Sequence, residues 1–274
     1  MNIQVHKKET FYFTVMVILS IALYITLLAG IALALFFMKE FPRGVLLVPF
    51  YIAGFGFLGS ALLLGHLRGN AVRVSSKQFP DVFEILKMQA EKLELATVPV
   101  MYVMHQGGFL NAFAAKLLGR NYIIIFSEVL EAAYQEGMPV VAFIVGHELG
   151  HIKRKHVGGL KSWLIFPASF IPFLHSAYSR ACEYTCDNIG YALCPEGAQK
   201  GLLILSVGKG VYKKVHIDEL CLDFHESQGF ATWFAEIVST HPHLMKRIAR
   251  IESLQQIQNS AHVSIRHNIT AASH

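Results

Sequence analysis

The chain has 274 residues, of which 53% are hydrophobic and 16% charged, and it carries a net charge of +5. It is too apolar for an ordinary soluble protein of this length. Its positive excess is small and lacks interleaved aromatics, so nucleic acid is excluded as an expected partner. The four cysteines (Cys182, Cys186, Cys194 and Cys221) form no CxxC pair and fit a reducing compartment; Cys182 and Cys186, four apart, could form a second metal site but read rather as small buried thiols.

The apolar excess is localised near the N-terminus. No charged residue occurs from Thr10 to Met38 or from Gly44 to Leu67. A bilayer core needs about 20 helical residues, so each stretch is long enough to cross one. Both exceed the hydrophobic core of a signal peptide, about 7–15 residues. Residues 1–70 are therefore expected to form a membrane anchor, with transmembrane helices at about 11–38 and 45–67. The hairpin would turn through Lys39-Glu40-Phe41-Pro42-Arg43. His6, Lys7 and Lys8 precede the first span, and Arg68, Arg73 and Lys77 follow the second. The positive-inside rule then places both ends, and everything after them, in the cytoplasm.

Ordinary mixed patterning begins after the anchor, and residues 71–258 are expected to form one folded domain. Pro80-Asp81 opens a helix with Val82, Phe83, Leu86, Ala90 and Leu93 at helical spacing. Val98–Met104 and Tyr122–Phe126 read as strands, the second apolar enough to be buried, with Asn111-Ala112-Phe113-Ala114 as a third strand between them. Gly107-Gly108 and Gly119-Arg120-Asn121 supply the turn signals.

The following uncharged run, Val140–Val145, ends in Gly146-His147-Glu148-Leu149-Gly150-His151, an HExxH motif. Pro139 fits the first turn of a helix there. Residues four apart share a helix face, so His147 and His151 can present two imidazoles to one metal ion. Glu148 can then take a proton from water without itself being a ligand. One zinc per chain suits this chemistry, and the first expectation is a zinc hydrolase. Lys153-Arg154-Lys155-His156 follows directly and reads as the solvated end of that helix, or as a contact for anionic lipid headgroups.

A catalytic zinc held by two histidines and a water lacks one protein ligand. No acid occurs between Glu148 and Glu183. Glu183 and Asp187, four apart, can share a helix face, one binding metal while the other orients a histidine. Asp223 and Glu226 are weaker rivals. Between motif and glutamate lies an apolar stretch, 160–178, broken by Pro167 and Pro172. A single crossing would put His151 and Glu183 on opposite sides of the bilayer. The stretch is therefore expected as a membrane-interfacial element, a buried hairpin or a lid. Farther on, His241 can donate to an oxyanion forming on a peptide carbonyl, and Arg247 can pair with the acidic helix. Residues 259–274 are polar, without clear periodicity, and are expected as a flexible tail.

These motifs, in this order, resemble the M48 family of zinc metalloproteases, with its HtpX- and Ste24-like membrane proteases. The resemblance runs from about Val98 to Ile251. It rests on Val98–Val103, Asn111–Ala114, Gly146–His151, Ser179-Arg180 with Glu183-Tyr184 and Asp187, and His241-Pro242 with Arg247. It implies an α+β, mainly helical gluzincin domain with a small β-sheet behind the transmembrane hairpin. It also implies His147, His151 and Glu183 as zinc ligands and Glu148 as general base. Asp187 would support a ligand histidine, and His241 would stabilise the tetrahedral intermediate. Asn111, Ala112 and Phe113 would lie on an edge strand that takes an extended substrate.

The chain departs from the family in two places. HtpX-like members typically carry two further spans between HExxH and the glutamate helix, and Cys186 stands where alanine is usual. The resulting expectation is a small, membrane-anchored zinc endopeptidase. It would act on membrane or membrane-associated polypeptides, with the lipid bilayer as its other partner, at a bacterial inner or cell membrane with its catalytic domain cytoplasmic. A processing protease dedicated to one partner and a non-catalytic zinc-binding scaffold are the competing readings. The oligomeric state is not encoded in these features.

Overall fold

The structure is a computed structural model that describes residues 4–38, 43–105, 112–208, 210–227 and 229–271. It is mainly helical with one small mixed sheet. Helix α1 spans Lys7–Phe37 and α2 spans Val48–Asn70. Strand β1 (Val72–Arg73), helix α3 (Pro80–Lys92), and strands β2 (Val100–Met104), β3 (Ala112–Leu117) and β4 (Arg120–Phe126) follow. The rest is helical: α4 (Ser127–Glu136), α5 (Met138–Lys153), α6 (Leu160–Ile165), α7 (Leu174–Leu193), α8 (Ala198–Val207), α9 (Ile217–Glu226), α10 (Phe230–Val238) and α11 (Leu244–Ala271). Helix α11 continues through most of the segment in which the sequence offers no periodicity.

The sheet order is β1-β2-β4-β3, with β2 parallel to β4 and the other pairs antiparallel. Successive strand residues point to opposite faces, and here both faces are covered, which is why β2 and β4 are apolar at almost every position. Met101, Val103, Ile123 and Ile125 join the main core with α3, α4 and α5. Tyr102, Met104, Tyr122, Ile124 and Phe126 form a second cluster closed by Leu64 and Leu67 of α2. Leu118 and Gly119 both have positive φ, 46° and 82°, as a two-residue hairpin between β3 and β4 requires. The hairpin leaves β3 as an edge among the described strands.

The two apolar helices dock at different places. Helices α1 and Gly44–Asn70 are long and apolar enough to cross a membrane. The start of α1 packs along α7. The His6 amide donates to Thr185 Oγ1 at 3.0 Å, and Asn188 Nδ2 donates to the Gln4 carbonyl at 2.7 Å. Higher on α1, Met16 is buried with Ile165, Ala168, Tyr178 and Cys182. Ser20 Oγ accepts from the Ala168 amide, and Tyr24 Oη donates to the Trp163 carbonyl. Among the described residues, the segment between the HExxH helix and the glutamate helix holds no helix long enough to cross a membrane. It folds into α6 and a 3-10 turn, Pro167–Phe170, laid against α1.

Candidate active site

Helix α5 is buried along almost its whole length, consistent with its uncharged run. It crosses α7 at very short range. A Cβ on Gly150 would sit 3.1 Å from both Cα and Sγ of Cys186, and one on Gly146 would sit 3.2 Å from Gly190 Cα. Gly146 and Gly150 are four apart and share a face, so this glycine pair sets how closely the helices approach. Cys186 fills the space opposite Gly150.

The close crossing brings the acidic pair of α7 to the histidines of α5. His147 Nε2 lies 3.5 Å from Glu183 Oε2, and His151 Nε2 lies 3.5 Å from Glu183 Oε1. The ligand atoms of His147, His151 and Glu183 all fall within 4.8 Å of one another, as a shared metal ion requires. The opposite nitrogen of His147, Nδ1, lies 2.9 Å from Asp187 Oδ1. Arg247 of α11 grips Asp187 with both ends of its fork, Nε to Oδ2 at 2.8 Å and Nη2 to Oδ1 at 2.6 Å. The same Nη2 lies 3.6 Å from Glu183 Oε2. His241 Nε2 lies 3.8 Å from Glu183 Oε1, and its side chain is 59% exposed.

These groups open into a cavity of about 610 Å³, lined among others by Ala112, Phe113, Glu148, Ser179 and His241. Edge strand β3 forms one wall through Ala112 and Phe113; Asn111 lies outside the described residues. Asp223 and Glu226, the weaker rivals for a third ligand, do not line the cavity.

Burial opposes charge throughout, and each group's partners decide whether it keeps one. Burial works against protonation of His147, but its hydrogen bonds to Asp187 and Glu183 prevail and raise it from 6.5 to about 10. Burial lowers His151 to about 3 and also lowers His156. Burial works against ionisation of Glu183 too, but His147, His151 and Arg247 hold it well below the ordinary range. Arg247 and His147 likewise outweigh burial to hold Asp187 low. Glu148 shifts the other way: burial raises it from 4.5 to about 7, despite the nearby His147 and a hydrogen bond from the Ala114 backbone amide. Its Oε2 is buried with no hydrogen-bond partner among the described residues.

This arrangement fits a divalent ion. The donors are two imidazole nitrogens and a carboxylate, a set suited to zinc. With Glu148 ionised and both motif imidazoles neutral, as metal ligands must be, three carboxylates face one guanidinium, leaving two negative charges for an ion to neutralise. Glu148 lines the same cavity, and its buried Oε2 is left with an unused acceptor beside the candidate ligands.

Three features escaped the sequence. The first is the Ala114 amide that steadies Glu148, a backbone group that carries no residue signal. The second is Arg180, whose Nη1 donates to the carbonyls of Glu236, Ile237 and Ser239 at 2.6, 2.9 and 2.6 Å. Those bonds tie the end of α10 to α7 and so fix the chain that leads into His241. The third is His156. The basic run after the motif reads as a solvated helix end, but the His156 side chain is only 5% exposed, and Arg154 pairs with the buried Glu9 of α1 at 3.0 Å.

No curated protein matches the chain. Among solved structures, the crystal structure of S. mikatae Ste24p is similar at 12% identity and a TM-score of 0.45, over 87% of this chain and 66% of that one. The chain thus spans just under two thirds of that protein's length. The family model described as Peptidase family M48 matches residues 76–163 and 157–255, which takes in strands β2 to β4, the HExxH helix, the acidic helix and the segment carrying His241 and Arg247. With the model matched across that whole stretch, the chain belongs to peptidase family M48, a family of metallopeptidases.

Proposed function

We propose that the protein is a membrane-anchored, zinc-dependent endopeptidase that hydrolyses peptide bonds of membrane or membrane-associated proteins. The observation that carries this reading is the convergence of His147 Nε2 and His151 Nε2 on the two oxygens of Glu183, beside a buried and unpartnered Glu148 Oε2. His147, His151 and Glu183 would hold one zinc ion. When bound, zinc supplies Lewis acidity, which acidifies water and polarises a peptide carbonyl.

The chain's own residues do the rest. An extended substrate adds to β3, the edge among the described strands, along Ala112 and Phe113, which lays a scissile carbonyl over the site. Glu148 takes the proton of the attacking water at Oε2, its carboxyl tuned near neutrality by burial. It then returns that proton to the leaving amine. His241, exposed into the cleft, donates to the oxygen on which negative charge develops. Asp187, held by Arg247, fixes the ring of His147. A non-catalytic zinc scaffold would have no use for a buried carboxylate oxygen left unpaired, at a cost of about 1–3 kcal/mol.

The membrane placement follows from α1. From Glu9 to Tyr24 the helix rises about 22 Å, and α6 with the Pro167–Phe170 turn runs beside it as far as Tyr24. Where α1 enters the bilayer, that segment enters its interface too. Its exposed Trp163, Phe166, Phe170 and Phe173 suit that position, and Phe173 packs on Phe234 of α10. The cleft then opens close to the membrane surface, with the domain expected on the cytoplasmic side.

The test is cleavage of an unfolded reporter such as casein by detergent-purified protein, with bound zinc quantified. Wild type is expected to cleave with one zinc per chain, and Glu148→Gln to keep the zinc while losing cleavage. Undiminished turnover in that variant, or no zinc in folded wild type, would overturn the reading.

A further inference from the structure

The two histidines of the motif are oriented differently. Asp187 holds His147 at Nδ1, but among the described residues no carboxylate lies against Nδ1 of His151. Its neighbour is another imidazole: His156 Nδ1, at 3.3 Å. His156 Nε2 in turn lies 3.1 Å from Oε1 of Glu9, near the start of α1. Glu9 is 1% exposed, although it flanks an apolar span.

We propose that Glu9 and His156 are positioning residues, a relay by which the first membrane helix sets the tautomer and ring orientation of His151. The inference rests on His151 being a metal ligand. Only one proton arrangement satisfies the chain with both rings neutral. An ionised carboxylate only accepts, so His156 Nε2 must carry the hydrogen and donate it to Glu9. The Nδ1 of His156 is then an acceptor, and it takes the Nδ1 hydrogen of His151. That leaves His151 Nε2 with its lone pair free, facing Glu183 Oε1. Ligand histidines depend on such outer partners for their tautomer and aim.

The backbone builds the relay locally. Lys155 adopts φ 56°, and the His156 amide donates to the His151 carbonyl at 2.9 Å, so the chain doubles back and sets one ring edge-on to the other. The thiol of Cys186, 3.6 Å from His156 Nδ1, is the other neighbour of that nitrogen. The same groups could be taken for a second metal site, since Glu9, His156 and Cys182 lie close together, as do His151, His156 and Cys186. Arg154 and Lys161, 3.0 and 3.7 Å from the same Glu9 oxygen, oppose the first set, and the zinc count of wild type and His156→Ala separates the second from the relay.

The test measures zinc affinity of the full chain in detergent, by competition with a chromophoric chelator, for wild type, Glu9→Gln, His156→Ala, His156→Asn and Arg154→Met. Melting of each metal-free protein reports the fold. Loss of an outer partner costs about 10–100-fold in affinity, and His156→Ala is expected in that range. Glu9→Gln should weaken binding less. His156→Asn, whose side-chain oxygen can still accept from His151, should recover part of the loss. Arg154→Met removes a Glu9 partner outside the relay and should leave affinity within about twofold of wild type. Unchanged affinity in folded His156→Ala overturns the relay, as does a second zinc in wild type that this variant loses. Absence of zinc from wild type would instead overturn the metal-site reading itself.

Discussion

Arg247→Met removes the guanidinium that faces the buried acids of the site. Arg247 is 6% exposed and Asp187 0%, and they meet through two hydrogen bonds of 2.6 and 2.8 Å. Met preserves most of the volume, so the loss is electrostatic, with little cavity term. Removing one partner of a buried pair costs about 3–5 kcal/mol when the other charge loses its main compensation, and here, among the described residues, only His147 Nδ1, at 2.9 Å, stays beside Asp187. For a domain of this size each kcal/mol moves the melting temperature by about 2–4 °C, which gives a fall of about 6–20 °C in chelator-treated protein. Zinc changes the result in a specific way. Arg247 Nη2 lies 3.6 Å from Glu183 Oε2, so the variant has one less positive charge beside a candidate ligand. A bound divalent ion should offset part of the missing charge, and ligand binding to the native state stabilises it. The rise in melting temperature on adding zinc should therefore be larger in the variant than in wild type. The assay is thermal melting in detergent, with and without zinc. A loss below about 1 kcal/mol in the metal-free variant would refute the buried-pair account.

Two further outcomes follow from the site's burial. Glu148 is raised from 4.5 to about 7 in the folded, metal-free chain, so the folded state holds a proton that the unfolded chain releases. Its contribution to stability is present below pH 4.5 and is lost as pH rises through about 7. Melting of chelator-treated Glu148→Gln against pH should lack that component, and an identical profile in both proteins would refute the shift. Gly150→Ala places a Cβ 3.1 Å from Cys186 Cα, where the opposing backbone must give way. A cost of about 1–3 kcal/mol is expected from overpacking, and an unchanged melting temperature would show that the α5–α7 crossing is looser than described.

The parts legible in the sequence were those governed by local periodicity. Four-residue spacing places His147 and His151 on one helix face, and Glu183 and Asp187 on another, so a ligand set can be read without knowing how the helices cross. Apolar content marks β2 and β4, and Gly119 marks the turn before β4, but the turn is Leu118-Gly119 and β4 already begins at Arg120, inside the expected turn. His241 and Arg247 were legible through their chemistry, as an available donor and a partner for acids. What stayed hidden depends on tertiary pairing. Glu9 looks like the polar flank of a membrane span, because its partners Arg154 and His156 lie 145 and 147 residues away. The burial of His156 follows from a chain reversal at Lys155, a residue with no turn signature of its own.

The close helix crossing also explains why the two motif histidines cannot be served alike. Asp187 reaches His147 from α7, and Arg247 secures it there. One residue earlier, opposite Gly150, α7 presents Cys186, whose Cα and Sγ already stand at 3.1 Å from where a Cβ would be. A carboxylate at that position would not fit against α5 without separating the helices, and separating them would pull Glu183 away from both imidazoles. A second orienting group for His151 therefore has to arrive from outside the α5–α7 pair. The reversal after α5 brings His156 to that place, and the start of α1 brings the carboxylate that fixes its tautomer. On this reasoning the first apolar helix would belong to the proposed catalytic architecture as well as to the anchor, because the geometry of one proposed ligand depends on where that helix begins.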